Sequence, residues 1–312
     1  MYELVTLIGG GGFVGRYAAQ ALLRAGWRVR VAQRDPRQAY YLRPLGGLGQ
    51  TQFVAADVTR PDTIARAVEG ASAVVNLAGS FGDAMRIQAT GAETVARAAS
   101  AAGVDALVHL SAIGADSASQ STYGRSKGLG EEAVRSAFPN ATILRPSVIF
   151  GREDQFLNRF ADMMRRLPVV PVLRPAARFQ PVYAGDVGDA VAAAVGNPGR
   201  FGGRTIELGG PDVLTMLELQ RWIAEATGRK KTFLELPDAI GGAIARLGFL
   251  PGAPISWDQW LMLGRDTVVS PGADGLESMD LTATPMVAVA PSWLVRFKRK
   301  GRFAKRVHEE AV

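Results

Sequence analysis

Short runs of aliphatic and β-branched residues alternate with stretches of helical periodicity through the first 150 residues. Candidate strands cover 3–8, 28–33, 51–56, 72–77, 105–111 and 141–146. Between the first two, Gly15, Ala18, Ala19, Leu22 and Leu23 recur at the spacing of one helix face and stop at Gly26. An Ala-rich stretch over 85–103, opening with Met85 and Ile87, predicts a long helix, and 126–138 repeats that pattern before Pro139. Such alternation predicts right-handed βαβ units, and so an α/β fold with a doubly wound parallel sheet. After Gly151 the rhythm changes. Prolines cluster at 168, 171, 175 and 181, a short strand is expected over 204–208, and a helix over 215–227. The pattern divides the chain into a sheet domain over 1–151, a smaller α/β lobe over 152–295 interleaved with it, and a tail over 296–312.

Composition narrows the chemistry. Of the 312 residues 47% are apolar and 21% charged, which excludes global disorder. There is no cysteine, and the two histidines are His109 and His308. Disulfides, thiolate catalysis, Cys-ligated metals and paired-imidazole sites are therefore excluded. The net charge of +7 is uneven: residues 296–312 carry seven basic and two acidic side chains, so +5 of it belongs to the tail. The chain is expected to be cytoplasmic. Leu4-Val5-Thr6-Leu7-Ile8 runs into glycines too soon for a signal peptide, and no run of 18 apolar residues exists.

Gly9-Gly10-Gly11-Gly12-Phe13-Val14-Gly15 fits both G-x-x-G-x-x-G and G-x-G-x-x-G between a strand and a helix. Glycine permits the tight turn and the close approach of backbone to a pyrophosphate, which the helix N-terminus attracts. The segment predicts dinucleotide binding on a Rossmann-type sheet. The second strand ends in Gln33-Arg34 before the first acid, Asp35. An arginine there can pair with a 2′-phosphate, so NADP(H) is preferred and NAD(H) stays open. Asp57, before Val58, can accept from an adenine amino group or cap the helix expected near 61–69.

Tyr123 and Lys127 stand four residues apart at the start of a helical pattern, on one face. A nearby ammonium lowers a phenol's pKa and makes it a usable proton donor or acceptor. Lys127 is the only lysine among the first 229 residues, in a chain that otherwise uses arginine. It can also reach nicotinamide ribose hydroxyls. Ser111 ends the fifth strand at the sheet edge where ligands of open α/β sheets bind, and there it can donate to a substrate carbonyl or simply close a turn. Tyr123, Lys127 and Ser111 are the candidate catalytic residues.

These pieces resemble the short-chain dehydrogenase/reductase superfamily in its extended or atypical form. The resemblance rests on Gly9–Gly15, Asp57-Val58, Asn76-Leu77-Ala78-Gly79, Ser111, Tyr123/Lys127, Leu144-Arg145-Pro146-Ser147 and Val182–Val187. It implies that Gly9, Gly10, Gly12, Phe13, Val14, Gly15, Arg34, Asp57, Val58, Leu77, Ala78, Gly79, Tyr123, Lys127 and Pro146 contact the cofactor. A narrower likeness runs through Phe138–Ile143, Arg145–Asn158, Gln180–Tyr183 and Ala283-Thr284-Pro285-Met286. There the chain is similar to the NAD(P)H-binding, Rossmann-type accessory-subunit family of respiratory complex I. That likeness implies a tightly held NADPH outside the respiratory reaction and complex I subunits as partners. It also implies a peripheral place at the inner membrane's cytoplasmic face in a bacterial member.

Two functions of different class follow. As an enzyme, the protein transfers hydride between NADP(H) and a carbonyl or alcohol, as a reductase, dehydrogenase or epimerase, with Tyr123 as proton donor. As a binding module, the same residues hold the nucleotide and the second lobe docks on a partner. Residues 247–263, with Leu247, Phe249, Leu250, Ile255, Trp257, Trp260, Leu261 and Leu263 and a single acid, Asp258, favour docking or form the lobe's core. Phe297 and Phe303 among the tail's basics suit an anionic membrane surface, an acidic protein, or a solvated end. Nucleic acid is disfavoured, because no second basic surface lies upstream.

Overall fold

All six candidate strands form, within a residue or two of their expected ends. They are β1 (Leu4–Ile8), β2 (Arg28–Gln33), β3 (Thr51–Ala55), β4 (Ala73–Asn76), β5 (Ala106–Leu110) and β6 (Thr142–Pro146). The computed structural model describes residues 3–250, 253, 255–299 and 301. Strands covered on both faces read as continuous apolar runs, and β1, β4 and β5 are buried at every residue. They occupy the middle of a seven-stranded parallel sheet of order β3-β2-β1-β4-β5-β6 and then Thr205–Leu208. The order reverses direction between β1 and β4, which opens a crevice at the strands' carboxyl ends. The fold is therefore the Rossmann-type α/β sheet expected from the pattern.

Helices cover both faces. The helices α1 (Phe13–Arg24), α2 (Pro61–Val68), α3 (Gly91–Ala101), α4 (Thr122–Ala137), α5 (Leu157–Arg166) and α6 (Ala184–Gly196) follow in chain order. On one face Ala18, Leu22 and Leu23 of α1 pack with Val187 and Val191 of α6 over Leu7, Val31 and Val75. On the other, Ile64, Val68, Val95, Ala99 and Val134 pack over Val74, Leu107 and Ile143. Truncating a fully buried Leu7 or Leu22 to alanine would cost about 2–5 kcal/mol.

Several elements lie elsewhere than the pattern suggested. The strand expected over 204–208 belongs to the main sheet and pairs in parallel with β6, so residues beyond 151 complete the sheet begun by the first 150. The helix expected at 126–138 begins at Thr122, which puts Tyr123 in its first turn. The helix expected over 85–103 opens as a π-helical turn, Met85–Thr90. A 3₁₀ segment, Pro36–Leu45, follows β2. Phe297 is only 9% exposed and packs with Trp293, Leu294, Phe150 and Leu157, so it is core of the second lobe and no surface aromatic. Of the expected tail, Lys300 and residues 302–312 lie outside the described residues. No helix among the described residues is long and apolar enough to cross a membrane.

Candidate nucleotide site

At the carboxyl end of β1 the chain must turn tightly before α1. Gly9 takes φ +81°, and a Cβ on it would stand 3.2 Å from the backbone of Leu77 and Ala78. Only glycine accepts that conformation without strain while lying flat against the turn after β4. A Cβ on Gly15 would stand 2.4 Å from the Gly10 carbonyl oxygen, so the helix can start this close to the loop only with glycine there. The N-cap of α1 is Gly12, with no side chain to cap. The first-turn N–H groups of Phe13, Val14 and Gly15 have no carbonyl four residues back to bond. Such a cradle, with its positive helix end, fits a pyrophosphate. Gly9, Gly10, Gly12, Phe13, Val14 and Gly15 are gathered at this end, beside Leu77, Ala78 and Gly79.

The loop is also braced from outside. Tyr41 Oη donates to the Gly11 carbonyl at 3.0 Å, and the Arg16 guanidinium lies 4.2 Å from the Tyr41 ring centroid. Arg16 pairs with Glu153 at 2.5 Å, and Tyr17 Oη donates to the same carboxylate at 3.0 Å. Glu153 belongs to the Arg145–Asn158 segment named in the sequence, so that segment steadies the first helix.

Arg34 is exposed just past β2. Asp35 is turned to Arg37, whose Nε lies 3.0 Å away, and that pairing holds its carboxyl below the usual range. Asp57 Oδ1 accepts from Thr59 N and Thr59 Oγ1 at 2.9 and 2.8 Å. The Thr59 N–H is the main cause that lowers the Asp57 carboxyl, with Arg34 and Arg86 adding to it. Asp57 does not cap α2, whose N-cap is Arg60; it folds the turn that leads there. Val58 is buried below, against Gly91.

The other end of the crevice is built by α4. Tyr123 and Lys127 share a helical face, with Lys127 Nζ 5.9 Å from the phenol ring centroid. That ammonium donates to the Leu110 carbonyl at 2.9 Å, which leaves two N–H groups for other acceptors. Burial pulls it down to about 8, against the opposing pull of Glu131. The phenol does not follow the expectation of a lowered pKa: burial pushes Tyr123 up to about 12.

Ser111 sits at the end of β5 as expected, 3% exposed, but its hydroxyl donates to Glu131 Oε1. Arg145 binds the same carboxylate through Nε at 2.9 Å and Nη2 at 2.6 Å, and reaches Glu207 at 3.7 Å. Glu207 accepts from Ser270 N at 2.7 Å. In this geometry the Ser111 hydroxyl is directed to Glu131 and away from the crevice position of a substrate carbonyl. Pro146 lies buried at the end of β6, where its carbonyl accepts from Ile113 N at 3.0 Å. In the floor, Asn76 Nδ2 lies 3.2 Å from His109 Nδ1, and burial takes that imidazole down to about 3.

Sequence reasoning missed four residues of this end. Glu131 extends the Tyr123–Lys127 ladder by another four residues, a signal present in the spacing. Gln88, placed by the π-helical turn, donates to the Ser80 carbonyl at 2.9 Å and to Ser126 Oγ at 3.3 Å. Asp258 accepts from the N–H groups of Thr122 and Tyr123 at 2.5 and 3.2 Å, across more than 130 residues of chain. Phe81 lies over the Tyr123 ring, with centroids 4.8 Å apart and planes within 18°. Of 247–263, Ile255 and Trp260 are core, while Leu247, Phe249, Leu250 and Trp257 are exposed. No cluster of metal-ligating residues exists among the described residues.

A family model described as NAD(P)H-binding matches residues 9–156. The mitochondrial NADH dehydrogenase [ubiquinone] 1 alpha subcomplex subunit 9 of Arabidopsis thaliana is 32% identical over 98% of this chain and 81% of its own length. The Rattus norvegicus protein of that name is 33% identical over 91% and 77%. A ceramide reductase of Caulobacter vibrioides is 32% identical over 75% and 74%. Among solved structures, a Citrobacter triphenylmethane reductase complexed with NADP(H) superposes with TM-score 0.76 at 18% identity, covering 93% of this chain and 99% of that one. The Escherichia coli quinone oxidoreductase QOR2 with NADPH gives TM-score 0.75 at 18% identity, covering the same shares. The sheet, the glycine cradle and these matches make the protein an NAD(P)(H)-binding α/β protein.

Proposed function

The chain belongs to the NADH dehydrogenase [ubiquinone] 1 alpha subcomplex subunit 9 family, and on that footing we propose that it holds NADP(H) as a tightly bound ligand without turning it over. Its role is then the assembly or stability of a membrane-associated respiratory complex, with complex I subunits as partners, as the relatives' names suggest. The observation that carries this reading is the bond from Ser111 to Glu131. That bond turns the serine hydroxyl away from a substrate carbonyl, while the Tyr123 phenol is held well above neutral pH. When bound, the nucleotide would supply a hydride; the chain's part is to seat it. Gly9–Gly15 would receive the pyrophosphate, Lys127 a ribose hydroxyl, and Asp57 the adenine amino group. Arg34 favours the 2′-phosphate of NADP(H), because Asp35, the acid that follows it, is paired with Arg37.

A second reading is supported by the retained Tyr123–Lys127 pair and by the reductase among the relatives. In it, Tyr123 protonates a carbonyl oxygen as hydride arrives, and Lys127 holds the ribose. Native isolation, with identification of bound nucleotide and co-purifying proteins, separates the two. Retained NADPH together with complex I subunits is the expected result. A protein isolated alone that oxidises NADPH with small or long-chain carbonyls would overturn it.

A further inference from the structure

Phe81 is a large apolar side chain left 67% exposed, yet held in a defined place. Its ring lies nearly parallel to Tyr123 at 4.8 Å between centroids, an arrangement that contributes attraction beyond simple burial. Three bonds fix the turn that carries it. Ser80 Oγ accepts from Gly82 N at 3.2 Å and Asp83 N at 3.3 Å, and the Ser80 carbonyl accepts from Gln88 Nε2 at 2.9 Å. Gln88 is 1% exposed and reaches the turn because the π-helical residues Met85–Thr90 swing it beneath Ser80. The turn follows directly on Leu77-Ala78-Gly79, which lies against the glycine loop. The Tyr123 N–H donates to Asp258 at 3.2 Å, which anchors the first turn of α4 that carries the ring.

We propose that Phe81 is a latch over the nicotinamide end of the site: stacked on Tyr123, it closes the crevice over the Tyr123–Lys127 face and sets how long the nucleotide is retained. The inference rests on the reading that this face holds the nicotinamide ribose. It deepens that reading by giving tight retention a residue. An exposed phenylalanine with no core to fill is otherwise a liability in water, and here its partner is the one phenol the site would use.

Two measurements on the full chain test the latch. In the first, protein loaded with NADPH is mixed with excess NADP⁺ and release is followed by nicotinamide fluorescence. Phe81→Ala is expected to release about tenfold faster, and Phe81→Tyr, which keeps a flat ring, close to the parent rate. In the second, no nucleotide is present, and the ultraviolet difference titration of Tyr123 is isolated by subtracting Tyr123→Phe. Phe81→Ala should move its ionisation down from about 12 toward the ordinary tyrosine value. Equal release rates in parent and Phe81→Ala, or an unmoved ionisation, would overturn the latch. If the parent retains no NADPH at all, the nucleotide reading itself fails, and the titration alone decides whether Phe81 covers the phenol. Because Phe81 is exposed, its truncation should leave the thermal unfolding midpoint nearly unchanged, and that control keeps both results interpretable.

Discussion

The two ends of one crevice are made differently. At the glycine end the chain offers backbone: close-packed glycines, first-turn N–H groups without partners, and an open helix terminus. At the Tyr123 end it offers side chains that already have partners, some of them backbone groups. Ser111 faces Glu131, Lys127 faces Leu110, Asp258 faces the start of α4, and Phe81 covers the phenol. The contrast teaches that a binding site and a reactive site can share a fold and a motif yet differ in whether their protons are free. At the glycine end the donors are backbone N–H groups; at the Tyr123 end the Ser111 hydroxyl is taken up by Glu131, while Lys127 keeps donors to spare.

The largest expected effect breaks the glycine end. Gly15→Val puts methyls where the Gly10 carbonyl stands, and nucleotide affinity should fall by ~100-fold or more in a fluorescence titration. Next comes the Tyr123 end. Arg145→Met leaves Glu131 and Glu207 buried without their cation, and should cost about 3–5 kcal/mol in urea unfolding. Nucleotide affinity at the distant glycine loop should move far less, which would show that the two ends are separately built. Arg34→Gln should weaken NADPH about tenfold and leave NADH nearly unchanged, measured by calorimetry side by side. A smaller effect is a pH slope. His109 stays neutral when folded, its pKa down at about 3, while the unfolded chain protonates it near the ordinary histidine value. Protons therefore favour unfolding: its contribution is full above about pH 6.5 and is lost as pH falls toward 3. His109→Asn should flatten that part of the stability profile.

What the sequence revealed follows the range of the forces involved. β1, β4 and β5 were legible because buried strands are continuous apolar runs, β2 and β3 because β-branched and aromatic residues recur in them, and the glycine loop because a tight turn admits few residues. Tyr123 and Lys127 were legible because helical spacing is local; Glu131, four residues on, carried the same signal. Thr205–Leu208 was read as a strand but not as the sheet's seventh, since its pairing with β6 is decided some sixty residues away. Asp258 and Phe81 reach Tyr123 only through tertiary structure. Phe297 looked like part of a cationic tail because arginines and lysines flank it, while its ring turns inward to Trp293 and Leu294. The commitment of Ser111 to Glu131 could not be read from a strand-terminal serine, because the residue type is the same whether its proton is free or taken.

The central claim is that the Tyr123 end is closed to chemistry while the glycine end binds. Its most direct test loads the protein with NADPH, adds a panel of small and long-chain carbonyls and quinones, and follows the reduced nicotinamide absorbance over many minutes. Bound NADPH should persist unoxidised, and Ser111→Ala should behave like the parent. Steady oxidation that is lost in Tyr123→Phe and in Ser111→Ala would contradict it, and would make the protein a reductase that uses all three residues.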